Sequence, residues 1–362
     1  MMRFGYWLPV FGGWLRNVED ENMQASWSYV SRLARRSEQL DFDLTLIAEL
    51  NLNDIKGDEA PSLDAWSTAA ALAAVTERLE LMVAVRPTFH APALFAKQAA
   101  NIDHISAGRL SLNVVSAWWA TEARRYGVHF DQHDDRYART GEWLDVVNGL
   151  WTQQVFTHHG RLYDIEDGIL EPKPLQRPRP TIYAGGESPA AKTLIAQQCD
   201  AWLTHGDPPD LIAPKLADMR ARRAALALPD MQFGAAGFVI VRDTEAEARR
   251  ELARITDVRQ HARGFANYQD WISNTQLEQR VSLEDYSVSN RGLRSGLVGT
   301  PAQVAERILE FEHAGLGLLL LQFSPQLEEM ERFAEQVMPL VKGTAANGGA
   351  VRLRQGCGAF SM

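Results

Sequence analysis

The chain is predicted to be an α/β protein, a (β/α)8 TIM-like barrel with inserted loops, and three observations predict it. Eight short apolar runs alternate with stretches of helical spacing, with no succession of hairpins between them. That alternation implies parallel strands joined by crossover helices. The repeats extend from Phe4 to Val341 of a 362-residue chain, longer than a doubly wound open sheet of five or six strands needs. The fourth run, Leu110 to Val115, opens onto Ser116-Ala117-Trp118-Trp119, small and aromatic residues where a barrel strand would deliver its chemistry.

Taken in order, Phe4 to Pro9 is the first strand, opening into Val10-Phe11-Gly12-Gly13. Trp27 to Leu40 places Trp27, Val30, Leu33, Ala34 and Leu40 at the spacing of an amphipathic helix. Leu44 to Ala48 is the second strand, and the long polar loop after it, ELNLNDIKGDEAPSLD, belongs on the surface or over a site. Ser62 or Asp64 caps an alanine-rich helix through Val75, and Leu79 to Val85 is the third strand, ending in Arg86-Pro87. A helix from Pro92 to Ile105 turns at Ser106-Ala107-Gly108 into the fourth strand. The repeat continues with strands at Pro180–Tyr183, Ala201–Thr204, Phe233–Val241 and Leu316–Leu321. Helices are expected at Ala190–Gln198, Pro209–Ala227, Thr244–Ile255 and Pro301–Ala314, with a last one ending near Val341.

Two insertions interrupt one domain spanning residues 1–342. The first, about 126–180, holds a helix near Asp135–Trp151 and a strand-like piece at Leu162-Tyr163 before the proline-rich EPKPLQRPRP. The second, about 259–299, is polar without apolar periodicity and suits a lid. Residues 343–362 have no core-forming pattern and read as a flexible tail.

The net charge of −9, with basic residues scattered among acids, argues against nucleic acid as a partner. No apolar run is long enough for a membrane span or a signal peptide, so a cytoplasmic protein is expected. Cys199 and Cys357 are too few and too distant for a metal motif, and His158-His159 before a glycine turn reads as a surface pair. No metal site is expected.

The block Thr181 to Ala191, TIYAGGESPAA, combines a strand, paired glycines, Ser188 and a helix start, the parts of a phosphate-binding turn or of a simple strand-to-helix connection. There is no GxGxxG after a strand and no P-loop, so a nucleotide would not be held by either. His133 and Tyr137, four apart in HDDRY at the entrance of an expected helix, either share one face as a site pair or leave Asp134 or Asp135 to cap the helix while Tyr137 packs. Lys56, Arg86, His90, Arg291 and Arg294 are further polar candidates at loop or strand-end positions, as solvated groups or as an anion site.

The segments FGYWLP, NIDHISAGRLSLNVVSAWW, HDDRY, LEPKPLQRPRPTIYAGGES, FVIVRDTEAEA and LVGTPAQVAERI together resemble, in order, the bacterial-luciferase-like flavin monooxygenases. The likeness is strongest to the branch of alkanesulfonate, dimethyl sulfone and sulfoquinovose monooxygenases. The resemblance implies reduced FMN from a separate NAD(P)H-dependent flavin reductase, O2 as co-substrate, cleavage of a C–S bond to sulfite or sulfinate and an aldehyde, and a homodimer or homotetramer. By the same resemblance Asn113, Ser116, His133, Tyr137, Gly185, Gly186 and Ser188 bind the flavin. Trp7, Arg16, Lys56, Arg86, His90, Trp118 and Arg291 face the substrate, with Arg291, Trp118 and His133 carrying catalysis. Alkanesulfonate enzymes carry an arginine and a histidine two residues apart in the seventh strand, where this chain has Ala236 and Phe238. That departure leans toward the neutral sulfone type, whereas Arg291 resembles an arginine of the alkanesulfonate enzymes' mobile loop. Oxygenation of a nitrogen heterocycle, or a non-catalytic flavin- or deazaflavin-binding barrel, are the alternative readings.

Overall fold

Eight parallel strands close into a barrel in chain order, Arg3–Trp7, Leu44–Ile47, Glu80–Val85, Leu110–Val114, Thr181–Gly185, Ala201–Thr204, Gln232–Phe238 and Leu318–Gln322, the last pairing with the first. The computed structural model describes residues 1–258, 263–276, 278 and 281–343. The tail beyond residue 343 and residues 259–262 of the second insertion lie outside them.

Side-chain alternation on each strand separates two cores. Phe4, Tyr6, Leu319 and Leu321 point outward into the layer shared with the helices, while Leu44, Leu46, Met82, Tyr183, Leu318 and Leu320 fill the barrel. Gly5 lies in register with Leu44 and Leu320, and a Cβ there would stand 2.6 Å from Leu44 Cδ1 and 2.9 Å from Leu320 Cδ2. Gly5→Ala is therefore expected to cost about 1–3 kcal/mol by overpacking, read as a lower urea midpoint with an unchanged slope.

Helix starts follow sequence chemistry. Asp64 accepts the Ser67 backbone N–H at 2.7 Å, and Thr244 and Thr300 form reciprocal capping boxes with Glu247 and Gln303. The helix expected near Asp135 spans His133–Thr152, and its N-cap is Gln132 without a side-chain cap bond, so neither Asp134 nor Asp135 caps it. Both acids sit instead in the first turn, where negative charge meets the positive helix end.

Two expected strands change form. Leu162-Tyr163 is the turn of an antiparallel hairpin, Phe156–His159 with Asp164–Gly168, because Glu142 accepts both backbone N–H groups and draws the chain around itself. Phe233–Val241 divides at Val239: Gln232–Phe238 stays in the barrel, and Ile240-Val241 leaves to pair with Val298-Gly299. The second insertion, expected to be merely polar, contains short helices at Tyr268–Asn274 and Leu283–Tyr286 and an apolar cluster of Trp271, Val281 and Tyr286. No helix among the described residues is long and apolar enough to cross a membrane.

Candidate active site

Every barrel strand delivers a residue to one cavity at its C-terminal end: Trp7, Leu46, Ala84, Asn113, Gly185, Leu203, Ala236 and Leu320. This is the face where a (β/α)8 barrel places its loops, and the longest of them roof the cavity. Trp271, Asn274, Thr275 and Gln276 of the second insertion line it, and Trp118 packs against the cluster of Trp271 and Tyr286.

The fourth strand ends in a sharp reversal. Ala117 adopts φ +50°, and the two tryptophans after it stack with ring centroids 5.4 Å apart and planes within 7°. Trp119 is thereby buried, while Trp118 reaches the cavity. Ser116 Oγ lies 2.9 Å from Thr140 Oγ1, and Arg136 donates to Ala117 O at 2.8 Å, tying this turn to the helix His133–Thr152. On that helix the rings of His133 and Tyr137 lie 5.1 Å apart, and both line the cavity.

The fifth strand ends in Gly185-Gly186. Gly186 has φ +151°, and a Cβ there would meet Ala191 Cβ at 2.6 Å and the Tyr137 hydroxyl at 3.3 Å, so only glycine keeps this turn flat beside Tyr137. Trp202 Nε1 holds the Gly186 carbonyl at 2.9 Å. Ser188 caps the helix Pro189–Gln198 by accepting Ala191 N–H at 3.2 Å; it is buried behind the turn and does not line the cavity itself. Burial raises the Tyr137 phenol above its ordinary pKa, with a hydrogen bond to Ser188 pulling the other way.

Of the expected site residues, Trp7, Arg16, Arg86, Asn113, Ser116, Trp118, His133, Tyr137, Gly185, Gly186 and Arg291 come together around this cavity. Lys56 and His90 do not line it. The Lys56 ammonium is consumed by Glu21 at 2.6 Å and by the carbonyls of Leu15 and Val18, and His90 Nε2 pairs with Glu49 at 2.5 Å on the outer side of the wall. Arg16 and Arg86 line the cavity as neutralised walls. Arg16 pairs with Asp54 at 2.6 Å and lies 4.0 Å over the Tyr286 ring. Arg86 holds Glu122 through both terminal nitrogens and Glu49 at 3.4 Å.

Arg291 and Arg136 differ from these. Arg291 has φ +55°, bonds the Ser289 carbonyl and lies 4.6 Å over the Trp271 ring. Arg136 donates to the carbonyls of Ala117 and Asn274. Neither guanidinium forms an ion pair with a carboxylate among the described residues, and the Nε of each has no partner. Burial pulls the Arg291 pKa down to about 10, which leaves it charged at neutral pH.

Among the lining residues not singled out from the sequence are Arg136, His205, Glu187 and Glu49. His205 follows the sixth strand directly, the position already used to pick Ser116 after the fourth. Burial, with Arg291 adding to it, pushes the imidazole down to about 4, so it is neutral at pH 7. Glu187 joins an ion cluster: Lys215 reaches Glu187 at 2.7 Å and Asp207 at 2.9 Å, Arg294 reaches Asp207 at 3.1 Å, and Glu278 of the second insertion contacts both Lys192 and Lys215. No group of three or more histidine, cysteine, aspartate or glutamate side chains among the described residues is placed to hold a metal ion. His158 faces Glu142 at 3.4 Å and His159 faces Asp164 at 2.6 Å.

A parallel barrel whose C-terminal cavity combines aromatic walls, a glycine turn and two guanidiniums without carboxylate partners among the described residues has the features of a barrel enzyme's active site. The chain belongs to the luciferase-like monooxygenase family, whose model matches residues 2–317. It is 35% identical over 351 residues to an FMNH2-dependent dimethylsulfone monooxygenase of Pseudomonas putida, covering 94% of this chain and 95% of the relative. Against the protein of the same description from Pseudomonas fluorescens (strain Pf0-1) the identity is 34% over 359 residues, with 97% of each chain covered. The EDTA monooxygenase of Chelativorans sp. BNC1 shares the fold with a TM-score of 0.78 at 20% identity, over 95% of this chain and 94% of that one.

Proposed function

We propose that this chain uses reduced FMN and O2 to oxygenate a small sulfonyl compound of the dimethyl sulfone type, breaking a C–S bond and releasing a sulfinate and an aldehyde. The observation that carries the reading is the cavity itself, which joins a glycine turn beside Tyr137 to aromatic walls and to a half-buried arginine with no carboxylate partner among the described residues. The relatives' substrate, as their name gives it, agrees with Ala236 lining the wall in place of a charged residue. Phe238, the other residue expected to mark this difference, does not line the cavity.

The residues fit the flavin chemically. Gly185 and Gly186 would hold its phosphate with Tyr137 and His133 beside it and the helix start capped by Ser188 behind it, since the turn and the helix start offer backbone donors and no side-chain bulk. Arg136 adds an uncompensated positive charge to the same region. Asn113 and Ser116 would line the ring system, and the bound group supplies the electrons that activate O2. Trp7, Trp118 and Trp271 exclude water from the reacting end, and Arg291 orients the sulfonyl oxygens by charge-assisted hydrogen bonds. Arg16, Arg86, Lys56 and His90, each held by acidic or carbonyl partners, brace the wall.

An NAD(P)H-dependent reductase supplies the reduced flavin in this reading, because the chain has neither dinucleotide fingerprint nor P-loop. A sulfonate substrate, from an alkyl or sugar sulfonate, is the second reading, and Arg291 favours it: an anion would find its counter-charge there.

The test is anaerobic binding of reduced FMN followed by an oxygen pulse, with sulfite, sulfinate and aldehyde assayed across dimethyl sulfone, methanesulfonate, longer alkanesulfonates and sulfoquinovose. Sulfinate from the sulfone supports the first reading and sulfite from a charged substrate the second. Binding of reduced FMN with no sulfite, sulfinate or aldehyde from any of the panel refutes both and favours a heterocycle substrate.

Ser188→Asp tests the phosphate site. Aspartate can cap a helix as serine does, and its charge beside Glu187 opposes a phosphate; because Ser188 is buried, the urea midpoint is measured alongside and Ser188→Asn serves as the neutral control. Reduced FMN is expected to bind at least about tenfold more weakly in anaerobic fluorescence titration. Unchanged affinity would remove the turn from the flavin site.

A further inference from the structure

The segment after the sixth strand and the segment around Arg291 meet at backbone distance. A Cβ on Gly206 would stand 3.0 Å from Gly292 Cα, Asn290 Nδ2 bonds the Gly237 carbonyl at 3.1 Å, and Arg294 pairs with Asp207 at 3.1 Å. His205 and Arg291 are the immediate neighbours of the two touching glycines, and both line the cavity. A neutral imidazole and a guanidinium without a carboxylate thus share one wall.

Resting on the oxygenase reading above, we infer that this pair completes the C–S cleavage: His205 accepts the hydroxyl proton of an α-hydroxy sulfone, and Arg291 receives the departing sulfinate. Oxygenation of a sulfone at the carbon next to sulfur yields the α-hydroxy sulfone. In its collapse the O–H proton goes to the His205 imidazole, and the electron pair left on oxygen becomes the second C–O bond of the aldehyde. The C–S bond breaks, and its pair leaves on sulfur as the sulfinate. No oxidant or reductant enters this step.

The surrounding charges suit it. The groups acting on His205 are Arg291 and Lys215, which repel a proton, and Glu187 and Asp207, which attract one. Both acids are already engaged, Glu187 by Lys215 and Asp207 by Lys215 and Arg294, so the resting imidazole stays neutral and available. A sulfinate arriving at Arg291 cancels the nearest repulsion as the imidazole takes its proton. Anion and proton binding are then coupled, each strengthening the other by the same factor.

The coupling is measured on the full chain with methanesulfinate as probe, by NMR titration of histidine-labelled protein. Sulfinate is expected to raise the His205 midpoint by about one pH unit or more, the size of a nearby opposite charge. Arg291→Gln should abolish the rise and Arg291→Lys should keep part of it, which separates loss of charge from loss of fold. A midpoint indifferent to sulfinate in the unmodified chain, or one that still moves in Arg291→Gln, overturns the inference.

In His205→Gln, kcat with dimethyl sulfone is expected to fall about 10²-fold while KM changes little, and rapid quench should find α-hydroxy sulfone accumulating ahead of aldehyde release. Aldehyde release with no accumulation of the α-hydroxy sulfone, as in the unmodified chain, also overturns it. Failure of the unmodified chain to form aldehyde and sulfinate from reduced FMN, O2 and any sulfone would sink the oxygenase reading instead, and the sulfinate titration tells the two failures apart.

Discussion

Arg291→Ala is expected to lower kcat/KM for the sulfonyl substrate by roughly 10²–10³-fold, the usual effect of removing a preorganised donor from developing negative charge. Anaerobic affinity for reduced FMN should stay near that of the unmodified chain, because the arginine lies over Trp271 of the roof, whereas the proposed phosphate site is the Gly185-Gly186 turn. Among the described residues its guanidinium bonds the Ser289 carbonyl and lies over the Trp271 ring, so its removal strands no carboxylate. Stability should therefore change little. Equal losses of turnover and of flavin affinity would place Arg291 on the flavin side and refute its role toward the substrate.

Arg86→Ala should do the opposite. The guanidinium is buried against Glu122, itself wholly buried, and also approaches Glu49 and the Phe89 ring, 4.1 Å away. Removing it leaves Glu122 with the Asn51 backbone N–H as its remaining donor in a dry wall. Stranding a buried charge in this way costs about 3–5 kcal/mol. The expected result is a large drop in the urea midpoint, with the substrate KM of the protein that remains folded little altered. A raised KM at unchanged stability would restore Arg86 to the substrate-binding set.

The contrast between these two arginines shows which parts of the molecule were legible in the sequence. The barrel was legible because its strands are local objects: Leu44 to Ile47 or Leu318 to Gln322 announce themselves as aliphatic runs, and Asp64, Thr244 and Thr300 mark helix starts within three residues of their partners. Residues at strand ends, such as Asn113, Ser116 and Gly185, followed from the barrel itself. Charge state did not. Arg86 and Arg291 look alike in sequence, but one finds its carboxylate 36 residues away and the other bonds a carbonyl two residues away. No spacing rule encodes such pairings, because the fold makes them by bringing separate βα units together. His205 was overlooked for a different reason: as a lone histidine after Ala201–Thr204 it carried no motif, although the strand-end criterion applied to it equally.

The ion cluster behind the glycine turn joins two parts of the cavity that differ in exposure. Glu187, Lys215 and Asp207 form the buried part, with side chains between 4% and 7% exposed, whereas Glu278 of the roof is 36% exposed. Dissolved ions screen charges that water reaches and act far less on those it does not, over a distance of about 10 Å at 0.1 M salt. Ionic strength therefore acts unevenly on this protein. Added salt loosens the attachment of the roof through Glu278 to Lys192 and Lys215 while the wall beneath it keeps its pairs. Turnover should accordingly fall with salt over a range in which the unfolding midpoint hardly moves, so the ionic strength of the assay decides how tightly the reacting end is closed.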